Sequence, residues 1–171
     1  MIRDIQEEIL KLKKEKDICI LAHCYQNPEI LEVADFTGDS FALSVKAAET
    51  KNKTVIMCGV KFMAESAKVL SPEKTVILPA PNAGCPMADM AEVEDVEEMI
   101  KKYPDAFKVC YINSSYEVKA LCDASVTSSS ALKIIKNIPN KQILFLPDQN
   151  LGGYISEFFP EKEFILWRGF C

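Results

Sequence analysis

Several features that would fix the class of this chain at once are missing from it. Among 171 residues there is one histidine, one tryptophan and only six glycines. No two cysteines are spaced Cys-x-x-Cys, which excludes a zinc finger or a thioredoxin-type site built on a local pair. Lys and Arg form no basic run, and the net charge is −5, so nucleic acid is a poor partner. No apolar stretch approaches the length of a membrane span. The N-terminus, Met1-Ile2-Arg3-Asp4-Ile5-Gln6-Glu7-Glu8, is charged from the start and has no apolar signal core. Together these point to a cytoplasmic chain. Its seven cysteines are an odd number without a secretion signal, which argues against a disulfide framework.

What is present is an ordinary globular composition, 49% hydrophobic and 26% charged, with enough apolar residues for a real core. Ile5, Ile9, Leu10 and Leu12 recur at helical spacing and predict a first helix to about Lys16. Ile18 to Ala22 is wholly apolar, as a buried parallel strand requires. Helical pattern follows over 29–35 and 41–49, then strand 54–58, helix 62–70 and strand 75–78. The same order returns as helix 93–102, strand 107–112, helix 117–121, strand 125–127, helix 131–136, strand 142–146, helix 151–159 and strand 163–167. Strands alternating with helices give βαβ units and parallel sheets, an α/β fold. Cys19, Cys58 and Cys110 fall inside strand runs and are expected in the core.

The two halves repeat. Adding 88 carries His23 to Tyr111, Tyr25 to Asn113, Asp35 to Asp123, Ser40 to Ser128 and Pro72-Glu73-Lys74 to Pro160-Glu161-Lys162. A two-residue deletion brings Cys85 onto Cys171. Self-similarity of this kind marks duplicated units, expected here over residues 1–86 and 87–171.

Each half offers similar equipment. His23 and Tyr25, or Tyr111 and Asn113, follow its first strand, and ligands bind at carboxyl strand ends in open α/β sheets. Ser40 or Ser128 stands where a later helix begins, either as a plain N-cap or as part of a carboxylate or phosphate site. Cys85 or Cys171 closes the unit, either as a small apolar turn residue or as a ligand or nucleophile. His23 reads as a core histidine or a site residue, and Tyr25 and Tyr111 as amphipathic core residues or site groups. Asp148-Gln149-Asn150 could cap the following helix or reach the site, and the cap is the expected role.

Seven stretches, in order along the chain, resemble quinolinate synthase: Ala22-His23-Cys24-Tyr25-Gln26, Gly38-Asp39-Ser40, Ala83-Gly84-Cys85-Pro86-Met87-Ala88-Asp89-Met90, Tyr111-Ile112-Asn113-Ser114-Ser115, Thr127-Ser128-Ser129-Ser130-Ala131, Pro147-Asp148-Gln149-Asn150-Leu151-Gly152 and Trp167-Arg168-Gly169-Phe170-Cys171. The resemblance implies three-layer α/β/α units, two of three arranged about a pseudo-threefold axis, with the third repeat absent from this chain. It implies an enzyme, a transferase that condenses iminosuccinate with dihydroxyacetone phosphate to quinolinate in NAD biosynthesis. A [4Fe-4S] cluster acts there as Lewis acid, and Cys85 and Cys171 would be two of its three cysteine ligands. His23, Ser40, Tyr111, Asn113 and Ser128 would bind substrate, and Tyr25 and His23 would carry protons. The implied partners are those small molecules, with no nucleic acid and no membrane, and a missing third domain. The family's Ser-Ser-Asn-Ala stretch reads Ser128-Ser129-Ser130-Ala131 here, which removes an amide. Two other readings stay open: a non-catalytic Rossmann-like module for a small anion, and a subunit completed by another chain.

Overall fold

Apolar runs of four to six residues bounded by polar turns form strands here, and the amphipathic stretches between them form helices. A computed structural model describes all residues, 1–171. In chain order the elements are α1 (Ile2–Glu15), β1 (Ile18–His23), α2 (Pro28–Leu31), β2 (Phe36–Gly38), α3 (Ser40–Glu49), β3 (Thr54–Cys58), α4 (Lys61–Leu70) and β4 (Thr75–Ile77). A 3-10 turn over Ala88–Met90 precedes α5 (Val93–Lys102), β5 (Phe107–Tyr111), α6 (Tyr116–Ala120), β6 (Ala124–Val126), α7 (Ala131–Lys136), β7 (Gln142–Leu146), α8 (Gln149–Ser156) and β8 (Glu163–Leu166).

The strands form two four-stranded sheets, ordered β2-β1-β3-β4 and β6-β5-β7-β8, and every pairing is parallel. The duplication is visible in the register. Leu21 pairs with Phe36 and Val109 with Ala124; Cys19 pairs with Val55 and Phe107 with Ile143; Thr54 pairs with Thr75 and Gln142 with Glu163. Each pair maps onto its counterpart by the 88-residue offset. The chain divides into two compact units, Met1–Ala83 and Gly84–Cys171. The border thus falls three residues before the position expected from the repeat, and Cys85 lies in the second unit.

Both faces of the second sheet are covered. Val109, Ile143 and Phe145 pack with Ala131 and Ile135 of α7 and Ile155 of α8. The alternate residues Cys110, Leu144 and Leu146 pack with Val96 of α5 and Val118 of α6. Successive side chains of a strand point to opposite faces, so helices on both sides make a three-layer unit. In the first unit α3 and α4 bury Leu43, Ala47, Phe62, Met63 and Ala67, whereas α1 buries no residue completely.

One element was not foreseen. The apolar spacing over 29–35 suggests a helix, yet α2 ends at Leu31 and Phe36–Gly38 is a strand. The cause is tertiary. Asp35 accepts Ile20 N–H at 2.8 Å through its carboxylate and returns its own N–H to Ile20 O at 2.8 Å, which draws the following residues onto the edge of β1. Cys19 and Cys110 are buried as expected, but Cys58, at the carboxyl end of β3, is only partly so.

Candidate functional site

In each sheet the strand order reverses between the first and third strands of the unit, β1 and β3 or β5 and β7. Ligands of open α/β sheets bind outside the carboxyl ends at such a reversal, because the helices that follow the two strands leave in opposite directions and open a crevice. His23 terminates β1, and Tyr111 terminates β5. The sequence therefore places a polar aromatic group at the same topological point of both units.

In the first unit His23 is the register partner of Gly38, and Cys24 N–H donates to Gly38 O at 3.0 Å. That pairing brings the turn after β1 beside the start of α3. Nδ1 of His23 accepts Tyr25 N–H at 3.2 Å, which assigns the proton of the neutral ring to Nε2. The Tyr25 ring stands edge-on to the imidazole, with centroids 4.7 Å apart and planes at 76°. Tyr25 is 89% exposed, so the amphipathic-core reading does not hold for it. Desolvation pushes the His23 pKa below its usual value, and the Asp39 carboxylate partly opposes that shift. The ring is consequently neutral near pH 7.

Ser40 is the first residue of α3, but it is not the cap. Asp39 holds that position and accepts Ala42 N–H at 2.8 Å. The sequence marked the helix start correctly and missed that Asp39 both caps α3 and sets the charge near His23. A carboxylate two residues ahead of a helical run was the available signal.

In the second unit Ile112 N–H donates to Val126 O at 2.8 Å, which aligns the turn after β5 with the end of β6. Tyr111 and Asn113 are half-buried there, and the buried Ser114 donates its hydroxyl to Tyr111 O at 2.8 Å. Ser128 does not begin a helix: it sits exposed in a turn, and α7 opens only at Ala131. Thr127 N–H donates to Ser130 Oγ at 2.9 Å, and Ser130 N–H donates to Thr127 Oγ1 at 3.1 Å. Ser130, where the resemblance expects an Asn, thus closes the turn with its hydroxyl. Asp148 caps α8 as expected, accepting Asn150 N–H at 2.9 Å and Leu151 N–H at 3.3 Å.

Cys85 and Cys171 are free thiols on irregular segments, half-buried and exposed respectively. The two segments touch. Trp167 Nε1–H donates to Met90 O at 2.9 Å, and Cys85 O accepts Asp89 N–H at 3.0 Å. The indole therefore ties the stretch leading to Cys171 to the 3-10 turn that follows Cys85. Gly169 is fixed as well, since an added Cβ would lie 2.4 Å from Pro147 O. Nowhere do three His, Cys, Asp or Glu side chains gather as a metal site. A groove of about 800 Å³ beside α5 and β8, lined in part by Met90, Met99, Tyr103 and Trp167, contains none of the candidate residues.

These features define a duplicated parallel α/β protein that carries imidazole, hydroxyl and thiol groups on the turns after its strands. Comparison with known proteins narrows this. The family described as Quinolinate synthetase A protein matches residues 7–171. Quinolinate synthase from Clostridioides difficile (strain 630) is 60% identical over 171 residues, covering 100% of this chain and 56% of that protein. Quinolinate synthase from Clostridium perfringens (strain 13) is 61% identical over 168 residues, with coverages of 98% and 56%. The one from Caldicellulosiruptor bescii is 56% identical over 170 residues, with coverages of 99% and 56%. The chain belongs to the quinolinate synthetase A family, and it spans about half the length of these relatives. No helix is long and apolar enough to cross a membrane.

Proposed function

We propose that this chain supplies two of the units of a cytoplasmic quinolinate synthase, which condenses iminosuccinate with dihydroxyacetone phosphate. The observation that carries the reading is the pair of equivalent strand-end clusters, His23 with Tyr25 and Ser40, and Tyr111 with Asn113 and Ser128. Both substrates are anionic, and the chain's net charge of −5 repels anions at long range. Local donors must therefore do the binding: His23 Nε2–H, the Ser40 and Ser128 hydroxyls, the Tyr111 hydroxyl and the Asn113 amide. Tyr25 is exposed and close to His23, so it suits the transfer of a proton to and from a bound substrate.

A [4Fe-4S] cluster suits the donors only in part. Thiolates are the ligands such clusters take, and Cys85 and Cys171 are unpaired and not fully buried. They would hold two of its irons, and a third thiolate would have to come from outside these residues. When bound, the cluster supplies Lewis-acid polarisation of a substrate oxygen. The protein's own residues bind the carboxylates, orient the reacting carbon and move the protons.

The test is to express the longest reading frame containing this chain, purify it anaerobically, and measure iron, sulfide and quinolinate formed from the two substrates. Bound iron with product supports the reading, and a folded protein with neither would end it. The paired strand-end donors leave a second reading, a metal-free module for a small anion. Saturable binding of inorganic phosphate by the metal-free chain, without cluster or product in the longer protein, would select it.

A further inference from the structure

Helix α1 is tied to its unit by polar side chains and leaves an apolar stripe open beside them. Gln6 Nε2–H donates to Glu29 O at 2.9 Å and to Glu32 Oε2 at 2.8 Å, and Lys13 Nζ donates to Val33 O and to Asp35 Oδ1, each at 3.0 Å. Ile2, Ile5, Ile9 and Leu12 follow one another at spacings of three, four and three, the a/d seam of a coiled coil. Ile2 and Ile5 are each 55% exposed and Leu12 is 40% exposed, while Ile9 is half-buried. The three isoleucines line a groove of about 390 Å³, which Ile30 of α2 lines as well.

The charges along α1 select what can cover this stripe. Before Ile9 stand Arg3 and, against it, Asp4, Glu7 and Glu8; after it stand Lys11, Lys13 and Lys14 against Glu15. The two halves thus carry −2 and +2, and the helix as a whole is neutral. A nucleic acid or an anionic lipid surface gains nothing from a neutral helix. A second α1 running antiparallel sets each acidic half against a basic one and opposes the two helix dipoles, whereas a parallel copy sets like against like. With Lys13 engaged by Asp35, Lys11 and Lys14 are the cations on offer. The antiparallel arrangement also brings Ile2 to Leu12 and Ile5 to Ile9 across the seam, each contact made twice about a two-fold axis.

We propose that α1 is a self-association surface: two copies of this chain pair antiparallel through Ile2, Ile5, Ile9 and Leu12, each stripe entering the groove between the other's α1 and α2. Two heptads give only about 21 Å of helix, and Ile30 widens the apolar contact beyond the seam itself. The surface is its own complement, so the assembly closes at two copies. Nothing in this depends on the quinolinate synthase reading.

Sedimentation equilibrium of the 171-residue chain, run up to about 1 mM, should show its mass rising from 19.1 kDa toward twice that value. Ile5→Glu and, at the other end of the seam, Leu12→Glu should each weaken the association at least about tenfold while keeping the far-UV circular dichroism of the parent. Val69→Glu, at a more exposed apolar residue of α4, should leave the association unchanged. Added salt should loosen the parent pair, because it screens opposite charges, and this readout stands even if both α1 variants fail to fold. A mass of 19.1 kDa throughout, assembly beyond two copies, association that survives Ile5→Glu, or association that tightens with salt would overturn the proposal. So would a monomeric longer protein from the same reading frame, since a further segment of its own polypeptide would then cover the stripe.

Discussion

A single histidine makes the residue scale directly measurable. Burial lowers the His23 pKa below 6.5, and Asp39 works in the opposite direction. Because the folded value lies below the unfolded one, the unfolded chain binds the proton more readily. The stability tied to His23 is therefore present above about pH 6.5 and is lost as pH falls through the folded-state pKa. The imidazole proton signals in an NMR titration of the chain should give a midpoint below 6.5, and Asp39→Asn should move it lower still. A midpoint above 6.5 would contradict the burial argument and return His23 to an open, solvated setting.

Glycine at 169 admits a sharper test. A Cβ there would stand 2.4 Å from Pro147 O, which is backbone and cannot swing aside. Gly169→Ala should cost about 1–3 kcal/mol by overpacking, read as a lower urea midpoint, and should disturb the segment leading to Cys171. A variant as stable as the parent would show that this crossing is loose. At this scale the sequence showed which residue types stand on the turns after the strands, since those turns interrupt long apolar runs with His, Tyr, Asn and Ser. It could not show that Asp39 caps α3 or that Ser128 precedes its helix by three residues, because both depend on which neighbour takes a given N–H.

Between elements, the repeat is maintained by polar devices rather than by apolar similarity. Lys74 is buried, and its Nζ donates to Ala47 O at 2.6 Å and to Thr50 O at the end of α3. Lys162, 88 residues on, donates to Ile138 O at 2.7 Å and Asn140 O at 2.9 Å after α7. Cations suit helix C-termini, where carbonyls lack partners and the dipole is negative. Asp35 and Asp123 form a second matched pair. Asp123 accepts Lys108 N–H at 2.8 Å, as Asp35 does that of Ile20, and Lys13 or Lys108 completes an ion pair with the same carboxylate. Lys74→Met should destabilise by about 1–3 kcal/mol, because it leaves buried carbonyls unpaired. Lys162→Met should cost less, since Lys162 is only half-buried. Thermal or urea unfolding ranks the two, and the reverse order would refute the role given to burial.

The same polar ties explain which elements were legible. Strands β3 and β7 and helices α5 and α7 have the bounds their patterns suggest, because burial on regular faces writes the period into the sequence. β6 could be read because Val126 is buried within a run of Ser and Thr. Its counterpart β2 is mostly exposed, has no buried residue, and pairs with β1 through its backbone. A strand with no buried side chain leaves no apolar period to read.

At the scale of the molecule, duplication means two cores. In the second unit Val109, Ile143, Phe145 and Ile155 form a cluster drawn from residues of that unit alone, and β1 and β3 bury Leu21, Val55 and Met57 in the first. Local stability follows local burial, so two cores can open separately. Gly152 on α8 offers a way to strain one of them, since a Cβ there would meet Leu166 Cδ2 at 2.7 Å and Phe145 Cδ1 at 2.8 Å. Gly152→Ala should therefore lower hydrogen-exchange protection across β5, β7 and β8 and leave β1 and β3 at parent values. Loss of protection in all five strands together would mean that the two units unfold as one, and that the 88-residue repeat records ancestry without energetic independence. The outcome also bears on the proposed site. If the second unit yields alone, the Trp167–Met90 bond yields with it, and the two cysteine-bearing segments part while His23 keeps its depressed pKa.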